Sequence, residues 1–310
     1  MTAPVLPNTF FRIDEVLNAS RGWHLQPIFM PDVAWLHSAV RRTCQEEYAT
    51  LTTFLRLFEQ FCPHGGTVVD SGANEGTWSL LAAAHGCTTY AIEPQPYCTQ
   101  ILSASATRSG LQIDQKMVLF AEYEDGLKSP CVPVDTCRGT ASYTRGTVTD
   151  IRDKGWTPLT SSACQTVRMA TLDELIPATA SVDLWHLDVE GAELVALRSA
   201  RRLMGEGRIK RVMMEIDSRQ RWRMNIKDKM TIDATLAEVS AMFRGWKCVT
   251  ACDHGKPFVW PTHFTWGDKR DACSNVYCVA PNVVDDVKTG GRGGRSRTHA
   301  HVEPCGGTGP

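Results

Sequence analysis

The chain has 310 residues, of which 43% are hydrophobic and 22% are charged, and its formal net charge is −1 at pH 7. It is long and apolar enough to bury a single-domain core with extensions, and it lacks the strongly basic balance that favours nucleic acid as a partner. No uncharged run is long enough to span a bilayer, and residues 1–20 lack a basic start followed by an apolar stretch. We therefore expect a cytoplasmic protein without a signal peptide.

The first predicted element is helical. Residues 33–61 carry apolar side chains at helical spacing, among them Phe54 and Phe58, and a Pro-His-Gly-Gly sequence follows. We expect residues 1–62 to form a helical extension that caps a main domain over residues 63–282.

A strand, a glycine turn and a helix follow in order. A β-branched run ends at Asp70, Gly72 and Gly76 bracket the turn, and residues 77–84 have helical composition. The pattern D-x-G-x-x-x-G differs from the G-x-G-x-x-G of dinucleotide sites. With an acidic strand end and no second close glycine, it favours a cofactor with a cation and no phosphate, such as S-adenosylmethionine.

A second apolar run over residues 88–92 ends at Glu93, which is placed to accept hydrogen bonds from both ribose hydroxyls. A crossover helix over residues 97–108 and a third strand over residues 117–123 should follow, which brings Glu122 near the adenine. The sequence thus predicts a cofactor site with these members: Asp70, Gly72, Asn74, Gly76, Glu93, Glu122 and Asp188.

Residues 124–165 are less regular and rich in proline and glycine. Two interpretations stay open for this inserted loop region, namely a wall of the acceptor pocket and a disordered surface excursion.

Two more strands end in carboxylates, at Asp188 and Glu215. In an open parallel sheet, ligands collect at the carboxyl ends of the strands, so Asp70, Glu93, Asp188 and Glu215 should converge on one edge.

In the C-terminal part, the sequence predicts a helix over residues 231–243 and two final strands over 246–251 and 275–280. These strands would form an antiparallel edge. The basic segment 218–230 around Trp222 is either an acceptor surface or a solvated face. The Gly/Arg-containing tail, residues 283–310, is predicted to be disordered.

Four motifs in this order resemble the FkbM family of S-adenosylmethionine-dependent methyltransferases. They are residues 69–76 (VDSGANEG), 90–96 (YAIEPQP), 171–173 (TLD) and 187–193 (LDVEGAE). The resemblance implies an α/β class I methyltransferase fold, a Rossmann-like three-layer sandwich whose mostly parallel sheet has an antiparallel edge strand. It also implies O-methylation of sugar or other hydroxyl groups. His186 departs from the family, which usually has a lysine at this position.

Methyl transfer to an alcohol requires removal of its proton by a group within hydrogen-bond reach. We predict Asp188 as the base, with His186 either orienting it or taking the proton itself, unless His186 is an interior histidine under the sheet. Glu215 joins them as a catalytic candidate, and Asp188 and Glu215 together are candidate ligands for Mg²⁺. Glu190 and Glu193, at the following turn, either favour the helix N-terminus or touch the acceptor.

The twelve cysteines are scattered along the chain, and we expect reduced thiols. A zinc site is the less favoured interpretation of the ligand-type residues between 248 and 278, which are Cys248, Cys252, His254, His263, Cys273 and Cys278.

The function that these observations favour is a methyltransferase acting on a small-molecule or glycan hydroxyl. Its alternatives are an RNA methyltransferase of the same fold and a non-catalytic cofactor-binding module. The oligomeric state and the acceptor do not follow from the sequence.

Overall fold

A computed structural model describes residues 4–18, 26–45, 48–120, 131–138, 141–144, 147–150, 157–158, 163–216, 232–251, 257–258 and 275–284. Within this part of the chain, no helix combines the length and the apolar character needed to cross a membrane.

Short strands and helices alternate through most of the chain. The strands are β1 (Phe10–Arg12), β2 (Phe29–Pro31), β3 (Thr67–Ser71), β4 (Thr88–Ile92), β5 (Asp114–Lys116), β6 (Val118–Phe120), β7 (Cys131–Pro133), β8 (Ala141–Thr144), β9 (Thr147–Asp150), β10 (Thr157–Pro158), β11 (Cys164–Thr166), β12 (Arg168–Ala170), β13 (Leu184–Leu187), β14 (Arg211–Glu215), β15 (Lys247–Thr250), β16 (Pro257–Phe258) and β17 (Asn275–Val279). The helices are α1 (Ile13–Asn18), α2 (Ala34–Gln45), α3 (Tyr48–Phe61), α4 (Thr77–Ala84), α5 (Pro96–Ser109), α6 (Leu172–Leu175), α7 (Glu193–Ser199), α8 (Arg201–Gly205) and α9 (Ile232–Met242), with a 3-10 helix at Cys62–His64.

An eight-stranded sheet in the order β16-β15-β17-β14-β13-β3-β4-β5 forms the centre of the molecule. The strands from β14 to β5 are all parallel, whereas β17, β15 and β16 are antiparallel to their neighbours. This confirms the prediction of a mixed α/β protein with a mostly parallel sheet and an antiparallel edge. The carboxyl ends of β4, β3, β13 and β14 therefore meet at one edge.

Both faces of the sheet are buried, because alternate side chains of each strand enter different cores. Val69 and Trp185 belong to a core with α7 and α9, whereas Val68 and Leu184 belong to a second core with α3 and α4. Helix α3 contributes Phe54 and Phe58 to that second core, so the N-terminal helices pack directly on the sheet.

The third strand differs from its prediction over residues 117–123. Only β5 joins the large sheet, whereas β6 separates from it and pairs with β12. β5 is an edge strand with polar side chains, and such strands lack the apolar pattern from which buried strands are recognised. The described parts of the region 124–165 also contain strands, β7 to β10, with β7 paired to β11, so it is more regular than a loop.

The expectation of reduced thiols is wrong for eight cysteines, which form four disulfides: Cys62–Cys87, Cys98–Cys137, Cys131–Cys164 and Cys248–Cys278. Cys248 and Cys278 are direct cross-strand partners in β15 and β17. These two are therefore not zinc ligands, and the other four members of the predicted zinc cluster lie outside the described residues.

We predict that peptide mapping without reductant will recover these four cross-linked pairs. The bonds close loops with sequence separations of 25, 39, 33 and 30 residues, and loops of this size stabilise a fold by about 3 to 4 kcal/mol each through chain entropy. Mass spectrometry of protein alkylated before and after reduction provides the measurement. Complete alkylation of all eight cysteines without reductant would contradict the pairing.

Candidate functional site

The glycine turn after β3 lies against the end of β13. Gly72 has φ 78°, and a Cβ at this position would lie 1.7 Å from the backbone oxygen of Asp188. The Asp188 N–H donates to the Ser71 carbonyl at 3.0 Å. Only glycine allows this approach, which brings the predicted cofactor turn and the predicted base together.

The rest of the turn is equally constrained. Gly76 has φ 95°, and a Cβ there would meet Leu102 of α5 at 2.3 Å. Asn74 adopts φ 52°, a left-handed conformation that asparagine tolerates better than most residues.

Glu93 follows β4 and is 5% exposed. Its Oε2 accepts from the Asn74 N–H at 2.9 Å, and its Oε1 accepts from the Gln95 N–H and Nε2 at 2.9 and 3.1 Å. Burial raises the pKa of Glu93 to about 7 despite these donors. A buried carboxylate whose oxygens keep further lone pairs is suited to accept hydrogen bonds from hydroxyl groups.

Asp70 lies beneath the turn and is fully buried. Its Oδ2 accepts from Ser79 Oγ at 2.5 Å, and its Oδ1 lies 2.8 Å from His186 Nδ1, which donates to it. The His186 ring is 4% exposed and packs edge-on against Phe54 and near Trp78. This arrangement favours the interpretation of His186 as an interior histidine, and both Asp70 oxygens have partners within the protein.

Three carboxylates assemble after β13 and at the end of β14. One ligand oxygen from each of Asp188, Glu190 and Glu215 lies within 4.8 Å of the others. Burial, followed by the charges of Glu215 and Glu190, raises the pKa of Asp188 well above its usual range. Asp188 Oδ1 is buried and has no hydrogen-bond partner among the described residues.

Two acidic residues of the predicted motifs have structural partners. Glu193 is fully buried, and its Oε1 accepts from the backbone N–H groups of Val189 and Gly191. Asp173 accepts from the N–H groups of Arg202 and Leu203, where α8 begins. Glu193 is the first residue of α7 and its carboxylate holds the preceding turn, which agrees with the helix N-terminus alternative.

Two further residues lie beside the turn and the carboxylates, and of these only Gln95 was not singled out by the sequence. Glu190 joins the carboxylate cluster with φ 54°, a conformation rare outside glycine and asparagine. Gln95 donates two hydrogen bonds to Glu93. The sequence signal that could have identified it is its position two residues after Glu93, the ribose-binding candidate. The adenine candidate Glu122, the basic segment around Trp222 and residues 285–310 of the tail lie outside the described residues.

We predict that Asp70→Ala will lower the free energy of unfolding by about 3 kcal/mol or more, because it leaves buried His186 and Ser79 without their acceptor. Ser79→Ala, which removes one bond only, should cost about 1 kcal/mol. Urea unfolding followed by circular dichroism measures both. Equal stability of Asp70→Ala and wild type would contradict the supporting role.

Known proteins resemble this chain only distantly in sequence. No curated protein sequence matches it. Among solved structures, monomeric WbdD has 13% identity and a TM-score of 0.41 over 81% of this chain and 44% of WbdD. The bifunctional kinase-methyltransferase WbdD has 14% identity and a TM-score of 0.40 over 77% and 40%. The hMettl16 catalytic domain, solved with an RNA hairpin, has 12% identity and a TM-score of 0.34 over 75% and 69%.

These TM-scores are too low to support a conclusion about the substrate. The chain spans less than half of the length of WbdD. The family model for the methyltransferase FkbM domain, by contrast, matches residues 70–244, more than half of the chain. It covers the glycine turn, Glu93 and the carboxylate cluster described above. The chain therefore belongs to the FkbM methyltransferase family.

Proposed function

We propose that the protein is an S-adenosylmethionine-dependent O-methyltransferase that acts on a hydroxyl group of a sugar or small metabolite. The observation that carries this proposal is the cluster of Asp188, Glu190 and Glu215 beside the turn at Gly72. We also infer a class I methyltransferase fold, since five parallel strands with helices on both faces and an antiparallel strand beside β14 support it.

The residues present fit the cofactor. Glu93 offers two carboxylate oxygens for the ribose hydroxyls, and the acidic edge suits a ligand that carries a positive charge. Gly72, Asn74 and Gly76 let the backbone turn closely around such a ligand. When bound, S-adenosylmethionine supplies an activated methyl group on its sulfonium.

Asp188 is our proposed general base. Its raised pKa makes its ionised form a stronger base towards an alcohol than an ordinary carboxylate. Glu215 interacts with Asp188 by a side-chain hydrogen bond, so the pair is able to hold and pass on the acceptor proton. We propose that His186 acts through Asp70, by keeping the turn in place.

A magnesium ion is compatible with the same carboxylates. Three carboxylates this close repel one another, and a cation between them would offset that repulsion. Asp188 Oδ1, which is buried without a hydrogen-bond partner among the described residues, is a suitable hard oxygen ligand. Asp188, Glu190 and Glu215 would hold the ion, which would lower the pKa of an acceptor hydroxyl.

The domain limits remain a proposal, with an extension over residues 1–62, the methyltransferase domain over 63–282 and a tail over 283–310. The cytoplasmic expectation came from the N-terminal sequence and from the lack of a long uncharged run. Because disulfides persist mainly in oxidising compartments, the four observed pairs favour such a compartment over the cytoplasm.

We predict that wild-type protein binds S-adenosylhomocysteine and that its affinity increases from pH 6 to pH 8. The ionised form of Glu93 accepts the ribose hydroxyls better, and its pKa of about 7 sets the range in which this form appears. Isothermal titration calorimetry across this range measures the affinity.

Glu93→Gln is the matched control for this titration, because it keeps the shape and removes the ionisation. We expect it to bind about tenfold or more weakly at pH 8 and to show a flat dependence on pH. Identical profiles for the variant and wild type would remove Glu93 from the cofactor site.

We predict that labelled methyl groups are transferred from S-adenosylmethionine to glycans or small metabolites of a cell extract. Asp188→Asn should reduce this transfer at least 100-fold even at saturating S-adenosylmethionine, because it removes the base and keeps the shape. Chelation with EDTA should also reduce transfer if the carboxylates hold magnesium, and added Mg²⁺ should restore it.

The outcomes of this assay separate the alternatives. Labelled RNA instead of glycan or metabolite would favour the nucleic-acid alternative, and cofactor binding without any transfer would favour a binding module. Full activity of Asp188→Asn would contradict the assigned base.

A further inference from the structure

Residues 134–138, which we call the strap, run from β7 to the cofactor side of α5. The Cys137 side chain at its end is bonded to Cys98 in the first turns of α5. The next residue is held by a reciprocal pair of hydrogen bonds, in which Arg138 N–H donates to Gln95 Oε1 at 2.9 Å and Gln95 Nε2 donates to the Arg138 carbonyl at 3.0 Å.

Both anchors of the strap touch candidate cofactor residues. Cys98 Sγ and Cys137 Sγ lie 3.2 and 3.1 Å from Asn74 Oδ1. Gln95, which holds the strap, also donates to Glu93 Oε1 with its backbone N–H and its Nε2. One covalent bond and one amide side chain therefore connect the strap to Asn74 within the glycine turn and to Glu93 after β4.

We propose that the Cys98–Cys137 disulfide and Gln95 are positioning elements of the cofactor site, which hold Asn74 and Glu93 in their ligand-binding arrangement. This inference depends on the proposed function, because it concerns the same cofactor. It adds that a segment outside the strand-turn-helix motif sets cofactor affinity.

Chain entropy supplies the physical reason. The bond closes a loop between residues 39 apart in sequence, so without it the strap must be ordered each time that the ligand binds. Gln95 would then also lose its two hydrogen bonds to Arg138. Its side-chain amide would bind water instead of Glu93. A pre-organised site binds its ligand more tightly, because less entropy is lost on binding.

The test compares two double variants for S-adenosylhomocysteine affinity and for melting temperature. Cys98→Ser/Cys137→Ser removes the bond at the cofactor site. Cys131→Ser/Cys164→Ser removes a bond of similar sequence separation, 33 residues, that joins β7 to β11 in the same region. We expect both to lower the melting temperature to a similar extent, and only the first to weaken binding, by about tenfold.

Arg138→Pro provides a second variant with both cysteines intact, because it deletes the N–H that donates to Gln95 Oε1, together with the arginine side chain. We expect it to weaken binding about threefold. Binding within twofold of wild type for Arg138→Pro and for Cys98→Ser/Cys137→Ser would overturn the positioning role while leaving the proposed function intact. Failure of wild type itself to bind S-adenosylhomocysteine would instead contradict the proposed function, and this inference with it.

Discussion

The concentration of carboxylates at one edge of the parallel sheet is the constraint on which the site depends. Parallel strands end together, and here Asp188 and Glu190 follow β13 while Glu215 ends the adjacent β14. Burial and the charges of Glu215 and Glu190 raise the pKa of Asp188. The free energy of the site therefore depends on which group neutralises these carboxylates. A proton, a metal ion or a positively charged ligand would each reduce the repulsion among these carboxylates.

The same edge contains carboxylates whose charge is already accommodated. Asp70 has Ser79 and His186, and Glu193 has two backbone N–H groups. These partners satisfy buried carboxylate oxygens with hydrogen bonds from within the protein. The two sets therefore differ in their neighbours: Asp70 and Glu193 accept hydrogen bonds from donors of the protein, whereas Asp188, Glu190 and Glu215 lie next to one another.

The sequence predicted the parallel part of the sheet because each of its buried strands is a continuous apolar run that ends in a carboxylate. It could not predict β5, whose polar side chains suit an edge strand, nor the environment of His186, which depends on Phe54 of the distant helix α3. The disulfides were missed for a related reason. Cys248 and Cys278 become partners only through the register of β15 and β17, which cysteine spacing does not reveal.

The disulfides have a further relation to the site that follows from their positions. Cys62–Cys87 joins the segments that lead into β3 and β4, and Cys98–Cys137 fixes the strap beside the turn between them. The strands that carry Asp70 and Glu93 are thus anchored covalently at one end and covered at the other. If the proposed cofactor binds here, it meets a chain that was already ordered during folding, so little entropy is lost on binding. The cost of that order lies in oxidative folding, which connects the chemistry of the site to the compartment in which the chain matures.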